Sequence, residues 1–367
     1  MSPLKAAELA VDVVITNHNY GRYLAGAIGS ALGQTHPRVN VVVVDDGSSD
    51  ESREVLDAFA DRVDVVLKER GGQASALNAG IERCQGDVLL LLDADDVLRP
   101  EAAERVARAF EEDPELVKVQ FRMAVIDAAG RPTGGTKPTG HLLPPTGDAR
   151  TAELAFPFDI AWLPGGGTAF RTSLVRRILP IPEADYPHCG ADWYLVHLSA
   201  LLGPAAAIDE VCSEYRIHGE NGYELDAPRL DLGHVRDSIR FARATRASLE
   251  RLADEMGLPR HRPILSLSDL ANRLISLKLD PRRHPVPDDT TGALLLASLH
   301  AMRRRFDVSW PMKALFFAWF LIEAAAPRRF AHRLGELFLF PERRRTFNRL
   351  LGRMQRSEGG GRVTRLS

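Results

Sequence analysis

Three carboxylates fall within four positions at Asp93-Ala94-Asp95-Asp96, directly after the apolar run 88–92. Acids in that setting suit a hard divalent cation such as Mg²⁺, which takes one or two protein carboxylates and completes its shell with substrate phosphates and water. Spaced two apart, Asp93 and Asp95 would project differently, one toward a sugar hydroxyl and one toward metal. The same acids could equally cap a helix starting near Pro100. A second acidic stretch, Asp45-Asp46-Gly47-Ser48-Ser49-Asp50, closes the run 39–44. Its Asp46 could accept a nucleobase N–H, while Ser49 or Asp50 suits the cap of the next helix and Gly47 the turn. Thr16-Asn17-His18-Asn19 adds polar groups at the end of the run 11–16. Gly71-Gly72-Gln73 opens a helical stretch, where glycines let backbone approach a ligand and the helix end favours anions. Neither GxGxxG nor GxxxxGK[ST] occurs there, which argues against a dinucleotide fingerprint or a P-loop.

These stretches need elements that bring them together. β-Branched runs at 11–16, 39–44, 63–67 and 87–92 alternate with helical patterns near 20–34, 52–60 and 73–84. Continuous Val and Leu runs read as strands buried on both faces, hence a parallel sheet with helices on either side. The βαβα order predicts an open α/β domain whose ligand lies at the carboxyl ends of the strands, near a topological switch point. That rule would gather the three polar strand ends in one crevice. After residue 121 the alternation loosens, and the Gly- and Pro-rich stretch 133–147 reads as a long irregular loop, either a lid or a tolerated insertion. Helical patterns at 172–179 and 191–202 precede a strand-like 211–217. Beyond Asn221 apolar residues recur only at helical spacing, from Leu232 to Met256, then over 267–277 and 295–306. The expected division is an α/β domain over 11–224, a helical region over 225–356 and a disordered tail over 357–367.

The 367 residues carry 47 Lys and Arg against 49 Asp and Glu, a net charge of −2, so no overall charge argues for nucleic-acid binding. The charge is unevenly spread. Residues 300–367 hold 15 basic and 5 acidic side chains, which leaves an acidic body and a basic tail. Within that tail the aromatic stretch 312–322 is flanked by Arg303, Arg304, Arg305, Arg328, Arg329, Arg343, Arg344 and Arg345. Such a segment suits an interfacial helix on anionic lipid, a buried core helix or a dimer contact. No run reaches the ~18 apolar residues of a membrane span, and the best, 314–326, is interrupted by Glu323. No charged n-region with an apolar core opens the chain, and Cys84, Cys189 and Cys212 form no CxxC pair. A cytoplasmic protein with reduced thiols is expected, at most peripheral on the inner face of the membrane.

Taken in order, Thr16-Asn17-His18-Asn19, Asp45-Asp46-Gly47-Ser48, Gly72-Gln73 with Asn78-Ala79-Gly80, and Asp93-Ala94-Asp95-Asp96 resemble the motifs of the family-2 glycosyltransferases. The resemblance spans about residues 11–221. It implies a GT-A fold, a Rossmann-like open mixed sheet, here followed by a C-terminal helical region. It also implies an inverting transfer assisted by Mg²⁺ or Mn²⁺, from a nucleoside-diphosphate sugar (a UDP-sugar foremost) to an acceptor hydroxyl. The family context points to cell-surface polysaccharide or glycolipid synthesis, with a lipid-linked or cell-surface-glycan acceptor.

Carried over residue by residue, Thr16 and Asp46 would contact the nucleotide base, with Asn19 in the same donor-binding set. Gln73 and Asn78 would line the nucleotide side, Asp93 would bind ribose or the donor sugar, and Asp95 would ligate the metal. Gly190-Ala191-Asp192-Trp193 is similar to the family's two acids ahead of an aromatic, the second acting as general base. Asp192 keeps that acid, while Ala191 replaces the first and leaves the tuning of the base in question. As a bare sequence feature, Asp192 could equally be a helix N-terminal acid favoured by the dipole. Tyr215-Arg216-Ile217-His218-Gly219-Glu220-Asn221 resembles the motif that closes the catalytic domain. There His218 would complete the metal or diphosphate site and Arg216 would neutralise phosphate charge, although a histidine at a strand end can be purely structural. Trp162 and Gly165-Gly166-Gly167 would shape the acceptor pocket or form a close-packed turn. Two rivals remain open at this level. A nucleotidyltransferase would share the carboxylates and Mg²⁺ but leave Asp192 and His218 unexplained, and a catalytically silent nucleotide-sugar-binding scaffold would accommodate Ala191.

Overall fold

A computed structural model of the chain describes residues 9–139, 144–158, 160–187, 190–219, 221, 230–259, 264–304 and 309–339. Strands β1 (Val11–Asn17), β2 (Val39–Asp46), β3 (Asp64–Lys68) and β4 (Val88–Asp93) run parallel, separated by α1 (Gly21–Leu32), α2 (Ser52–Asp57) and α3 (Gln73–Arg83). The apolar runs are buried on both faces, as continuous Val and Leu sequences require. Helix α1 packs Leu24, Ala27, Ile28 and Ala31 on one face of the sheet. Helix α3 packs Ala74, Leu77 and Ile81 on the other. It lies so close that a Cβ at Gly80 would stand 2.6 Å from Val14 Cγ1.

The chain continues through β5 (Val97–Leu98), α4 (Ala102–Glu112), β6 (Lys118–Asp127), β7 (Pro132–Lys137), α5 (Arg150–Ala155), β8 (Thr168–Arg171), α6 (Thr172–Val175), α7 (Ala191–Leu202) and β9 (Ala205–Ile217). The sheet order is β3-β2-β1-β4-β8-β6-β9-β5, with β7 paired to β6. Strand β8 runs antiparallel to β4 and β6, so the sheet is open and mixed. From β1 the chain moves outward to β2 and β3 and then returns to β4 on the opposite side of β1. The order reverses there, and Thr16 and Asp93 are register partners across the reversal.

Three elements differ from the sequence expectation. The stretch 133–147 is not wholly irregular, since residues 132–137 form β7. Strand β6 is ten residues long, and β8 pairs only with its first three, so β7 satisfies the backbone groups from Met123 to Ile126. The helix expected over 172–179 stops at Val175 and tightens into a 3₁₀ turn, Arg176–Ile178, because the residue before Pro180 is pushed out of helical geometry. The strand read at 211–217 begins earlier, at Ala205.

The chain forms two compact units, Met1–Asp226 with Arg240–Ser266, and Ala227–Ile239 with Leu267–Ser367. Helix α8 (Leu232–Glu255) gives its first turns to the second unit and the rest to the first. The second unit also holds α9 (Leu267–Leu279), α10 (Thr291–Arg304), α11 (Trp310–Ala325) and α12 (Arg328–Leu339). Its core includes Leu230, Val235, Ile239, Ile275 and Val286. No described helix is long and apolar enough to cross a membrane. Phe306, Arg305, the arginines at 343–345 and the tail 357–367 lie outside the described residues.

Glu323 interrupts the apolar sequence of α11 and is fully buried, and among the described residues neither carboxylate oxygen has a hydrogen-bond partner. Burial pushes its pKa up to about 8, opposed by the Lys278 ammonium. The folded protein therefore keeps this proton over a range where the unfolded chain, near the ordinary value of 4.5, has lost it. Stability contributed by the protonated form is present below about 4.5 and is lost as pH rises toward 8. The melting temperature of the wild type is expected to decline across that window, and Glu323→Gln to flatten the decline. Equal pH slopes for the two proteins in differential scanning calorimetry would contradict this.

Candidate active site

The carboxyl ends of β1, β2 and β4 open onto a crevice of about 530 Å³. Thr16, Asp46, Asp93 and Asp95 line it from the strand ends, and Arg70, Gly72 and Gln73 from the turn into α3. Across the opening, α7 contributes Asp192, Trp193, Val196 and His197. Positions i, i+1, i+4 and i+5 share one face of a helix, so a single face of α7 closes the site. Thus the reversal between β1 and β4 gathers the acidic strand ends, and the N-terminus of α7 sets Asp192 opposite them.

Two contacts hold that N-terminus. The Gln73 side-chain oxygen accepts the Ala191 N–H at 3.0 Å, and Asp192 Oδ2 accepts the Gly165 N–H at 2.9 Å. A Cβ at Gly165 would lie 3.2 Å from Asp192 Cβ and 3.3 Å from Leu91 Cδ1. The three-glycine turn is therefore close-packed and also binds the Asp192 carboxylate. Ala191 is fully buried in an apolar cluster with Ala74 and Leu195, so a methyl group fills the place of a first acid.

The carboxylates raise one another's pKa values. Burial pushes Asp93 up to about 8, helped by the negative charges of Asp95 and Asp192 and opposed by the Thr16 hydroxyl. Burial also holds Asp96 well above the carboxylate range, helped by Asp95 and Asp93. Asp192 is raised by burial against the hydrogen bonds from Gly165 and from Trp193. Among the described residues, no Lys or Arg forms an ion pair with Asp93, Asp95 or Asp192. A site that tolerates this much negative charge suits a ligand that arrives with a cation.

The profile of Glycosyl transferase family 2 matches residues 12–179. A glycosyltransferase of Nostoc sp., itself uncharacterized, is 32% identical over 221 residues, covering 59% of this chain and 67% of that protein. The chain belongs to glycosyltransferase family 2. A Pseudomonas syringae enzyme named undecaprenyl-phosphate 4-deoxy-4-formamido-L-arabinose transferase is 40% identical over 115 residues. That match covers 29% of this chain and only 34% of the relative. The fold is similar to that of Staphylococcus aureus TarS 1-349 in complex with UDP-GlcNAc, with a TM-score of 0.53 and 15% identity. The similarity covers 89% of this chain and 90% of the other, and identifies a GT-A architecture.

Of the residues singled out from the sequence of this family-2 glycosyltransferase, Thr16, Asp46, Gln73, Asp93, Asp95 and Asp192 line the crevice. Asp46 also pins the glycine turn. Its Oδ1 accepts Lys68 Nζ at 2.6 Å and Gly71 N at 2.8 Å, and its Oδ2 accepts Gly72 N at 2.7 Å. Asn19, Asn78, Arg216 and His218 stand outside the lining. Asn19, at φ 60°, ties the ends of β1 and β2 together through Ser48 and Ser49. Asn78 spends its amide on the Ile181 backbone, accepting at 2.8 Å and donating at 2.9 Å. The Arg216 guanidinium donates to the Asp95 carbonyl at 2.7 Å and lies over the Tyr23 ring. His218 packs against Tyr20 and Tyr23, and its Nε2 meets Asp95 Oδ2 at 2.9 Å. Arg216 and His218 thus brace Asp95 from behind.

Sequence reasoning missed Arg70, Lys137, Phe158 and His197, all of which line the crevice. Arg70 had a signal, a cation directly before two glycines. Lys137 came from a stretch read as irregular, and nothing in local spacing brings residues 158 and 197 together.

Proposed function

We propose that this chain is an inverting, UDP-sugar-dependent transferase in cell-surface polysaccharide or glycolipid synthesis. The observation that carries the reading is Asp192, held by Gly165 at the tip of α7 and facing the Asp93–Asp95 strand end across one crevice. Catalysis is the work of residues 11–224, with 225–356 as an accessory helical region. The donor's nucleotide lies along Thr16, Asp46 and Gln73, with Arg70 at the same edge, and Asp93 meets ribose or the donor sugar. Asp192 takes the proton of the acceptor hydroxyl as that oxygen attacks the anomeric carbon. The bond from that carbon to the diphosphate breaks from the opposite face, so the centre inverts and UDP leaves. A raised carboxyl pKa brings the base nearer to neutrality, where proton transfer is most effective.

The residues fit a divalent cation. Among the described residues no group of three or more His, Cys, Asp or Glu forms a ready metal site. Among the described residues, however, Asp95 commits Oδ2 to His218 and Asn221, and its Oδ1 makes no hydrogen bond. Mg²⁺ and Mn²⁺ need few protein oxygens when substrate phosphates supply others, so Asp95 would hold the ion and His218 would orient Asp95. Bound there, the ion would offset charge on the departing diphosphate. The whole reading is tested by incubating the protein with a panel of nucleotide sugars and Mn²⁺ or Mg²⁺. Release of nucleoside diphosphate supports it, and exchange of pyrophosphate instead would point to a nucleotidyltransferase.

The protein acts in the cytoplasm, peripheral on the inner face of the membrane. The second unit exposes Trp310, Leu321, Ile322 and Phe330, beside exposed Arg303, Arg304, Arg328 and Arg329. Apolar rings with basic neighbours suit an anionic lipid surface, each Arg adding ~1 kcal/mol. The full chain is expected to float with anionic vesicles at low salt, and Arg328→Glu with Arg329→Glu to lose most of that binding. Identical flotation of both proteins would remove the lipid reading.

A further inference from the structure

The crevice has two unlike halves. The strand-end half is acidic and polar. The other half is aromatic, built from Phe158, Trp162, Trp193 and His197, with Asp192 at the junction. Phe158 stacks on Trp193, with ring centroids 5.5 Å apart, and meets His197 edge-on at 4.8 Å. Phe158 holds φ 71°, a left-handed conformation that a bulky side chain adopts only when its surroundings impose it.

Behind the rings lies a buried polar chain. His197 Nδ1 meets Glu153 Oε1 at 2.7 Å, and Trp162 Nε1 donates to Glu153 Oε2 at 2.8 Å. Glu153 is fully buried on α5, and His197 is only 4% exposed. A buried carboxylate bonded to both partners locks the imidazole and orients it. With Nδ1 committed to Glu153, Nε2 is the ring nitrogen left for a ligand in the crevice that His197 lines.

Resting on the transferase reading above, we infer that this half is a subsite for a neutral sugar ring as acceptor. The ring stacks on the Trp193–Phe158 wall and gives a hydroxyl to His197 Nε2, beside the hydroxyl that Asp192 deprotonates. Aromatic faces suit the C–H face of a pyranose, and Nε2 needs a hydroxyl-bearing partner. A hydrocarbon chain in the same place would leave Nε2 unsatisfied. A phosphate acceptor would bring its charge beside the Asp192 carboxylate, while the cations on the lining are Arg70 and Lys137. His197 is a positioning residue, since its work is to seat the ring.

The experiment uses the full chain with UDP and Mn²⁺. Methyl glucoside, galactoside, mannoside and N-acetylglucosaminide are examined by saturation-transfer NMR, alongside citronellyl phosphate as a short polyprenyl phosphate. At least one pyranoside is expected to receive saturation on one ring face. His197→Ala and Phe158→Ala are each expected to weaken its binding by about tenfold, while UDP affinity by calorimetry stays within about twofold, as a control for folding. Phe158 is half-buried in a loop, so its variant keeps the test valid if His197→Ala fails to fold. UDP binding with no pyranoside contact, or contact with citronellyl phosphate alone, overturns this inference and leaves the transferase reading standing. Absence of UDP binding overturns both.

Discussion

Asp192→Asn is expected to lower turnover by ~10²–10⁴-fold, the usual contribution of a positioned general base. Affinity for UDP, measured by calorimetry, is expected to remain unchanged. The substitution is nearly isosteric, and an amide oxygen can still accept the Gly165 N–H that now meets Asp192 Oδ2 at 2.9 Å. Folding is therefore preserved while the proton acceptor is removed. The raised pKa of the wild-type carboxyl has a further consequence: activity falls as pH drops through it, because the protonated acid cannot act as base. The asparagine variant is expected to lack that acid limb. Turnover within about threefold of the wild type would exclude Asp192 as the base and favour a binding scaffold.

The second large effect concerns Asp95. Excess EDTA is expected to abolish turnover, and Asp95→Ala to reduce it by at least ~10²-fold even with saturating Mn²⁺. Among the described residues Asp95 Oδ1 makes no hydrogen bond, while His218 and Asn221 hold Oδ2, so the side chain is braced with one oxygen to offer. Mn²⁺ binding followed by electron paramagnetic resonance in the presence of UDP separates the ion from the chemistry. Asp95→Ala is expected to weaken that signal, and His218→Gln to weaken it less, because His218 orients the carboxylate from behind. Full activity in EDTA, or unchanged Mn²⁺ binding by Asp95→Ala, would overturn the metal role.

Much of the first unit was legible because its chemistry is local. A run such as 88–92, bounded by turn residues and alternating with helical patterns, reads as a strand buried on both faces, and the acid following it then stands at the strand's end. Three polar strand ends in order were enough to indicate an open α/β sheet with a crevice at its carboxyl edge. The helical pattern from Leu232 to Met256 appears as α8 for the same reason, since periodicity is a property of consecutive residues. The roles of Asn19, Asn78 and Arg216 were not legible. Each is polar and sits in a motif, but whether its hydrogen bonds reach a ligand or the backbone depends on what packs opposite. For Asn78 that partner is Ile181, more than a hundred residues away.

The sequence by itself determined the alternation of strands and helices, the acidic strand ends and the position of Asp192 before an aromatic. Only the tertiary structure decided which half of the crevice is acidic and which aromatic. Glu153, Phe158, Trp162 and His197 come from one helix, a loop and a second helix, and they meet through packing. The spacing of residues along a chain sets which face of an element they share. It does not set which faces of separate elements come together, because that depends on the sheet order and on how each helix seats against it.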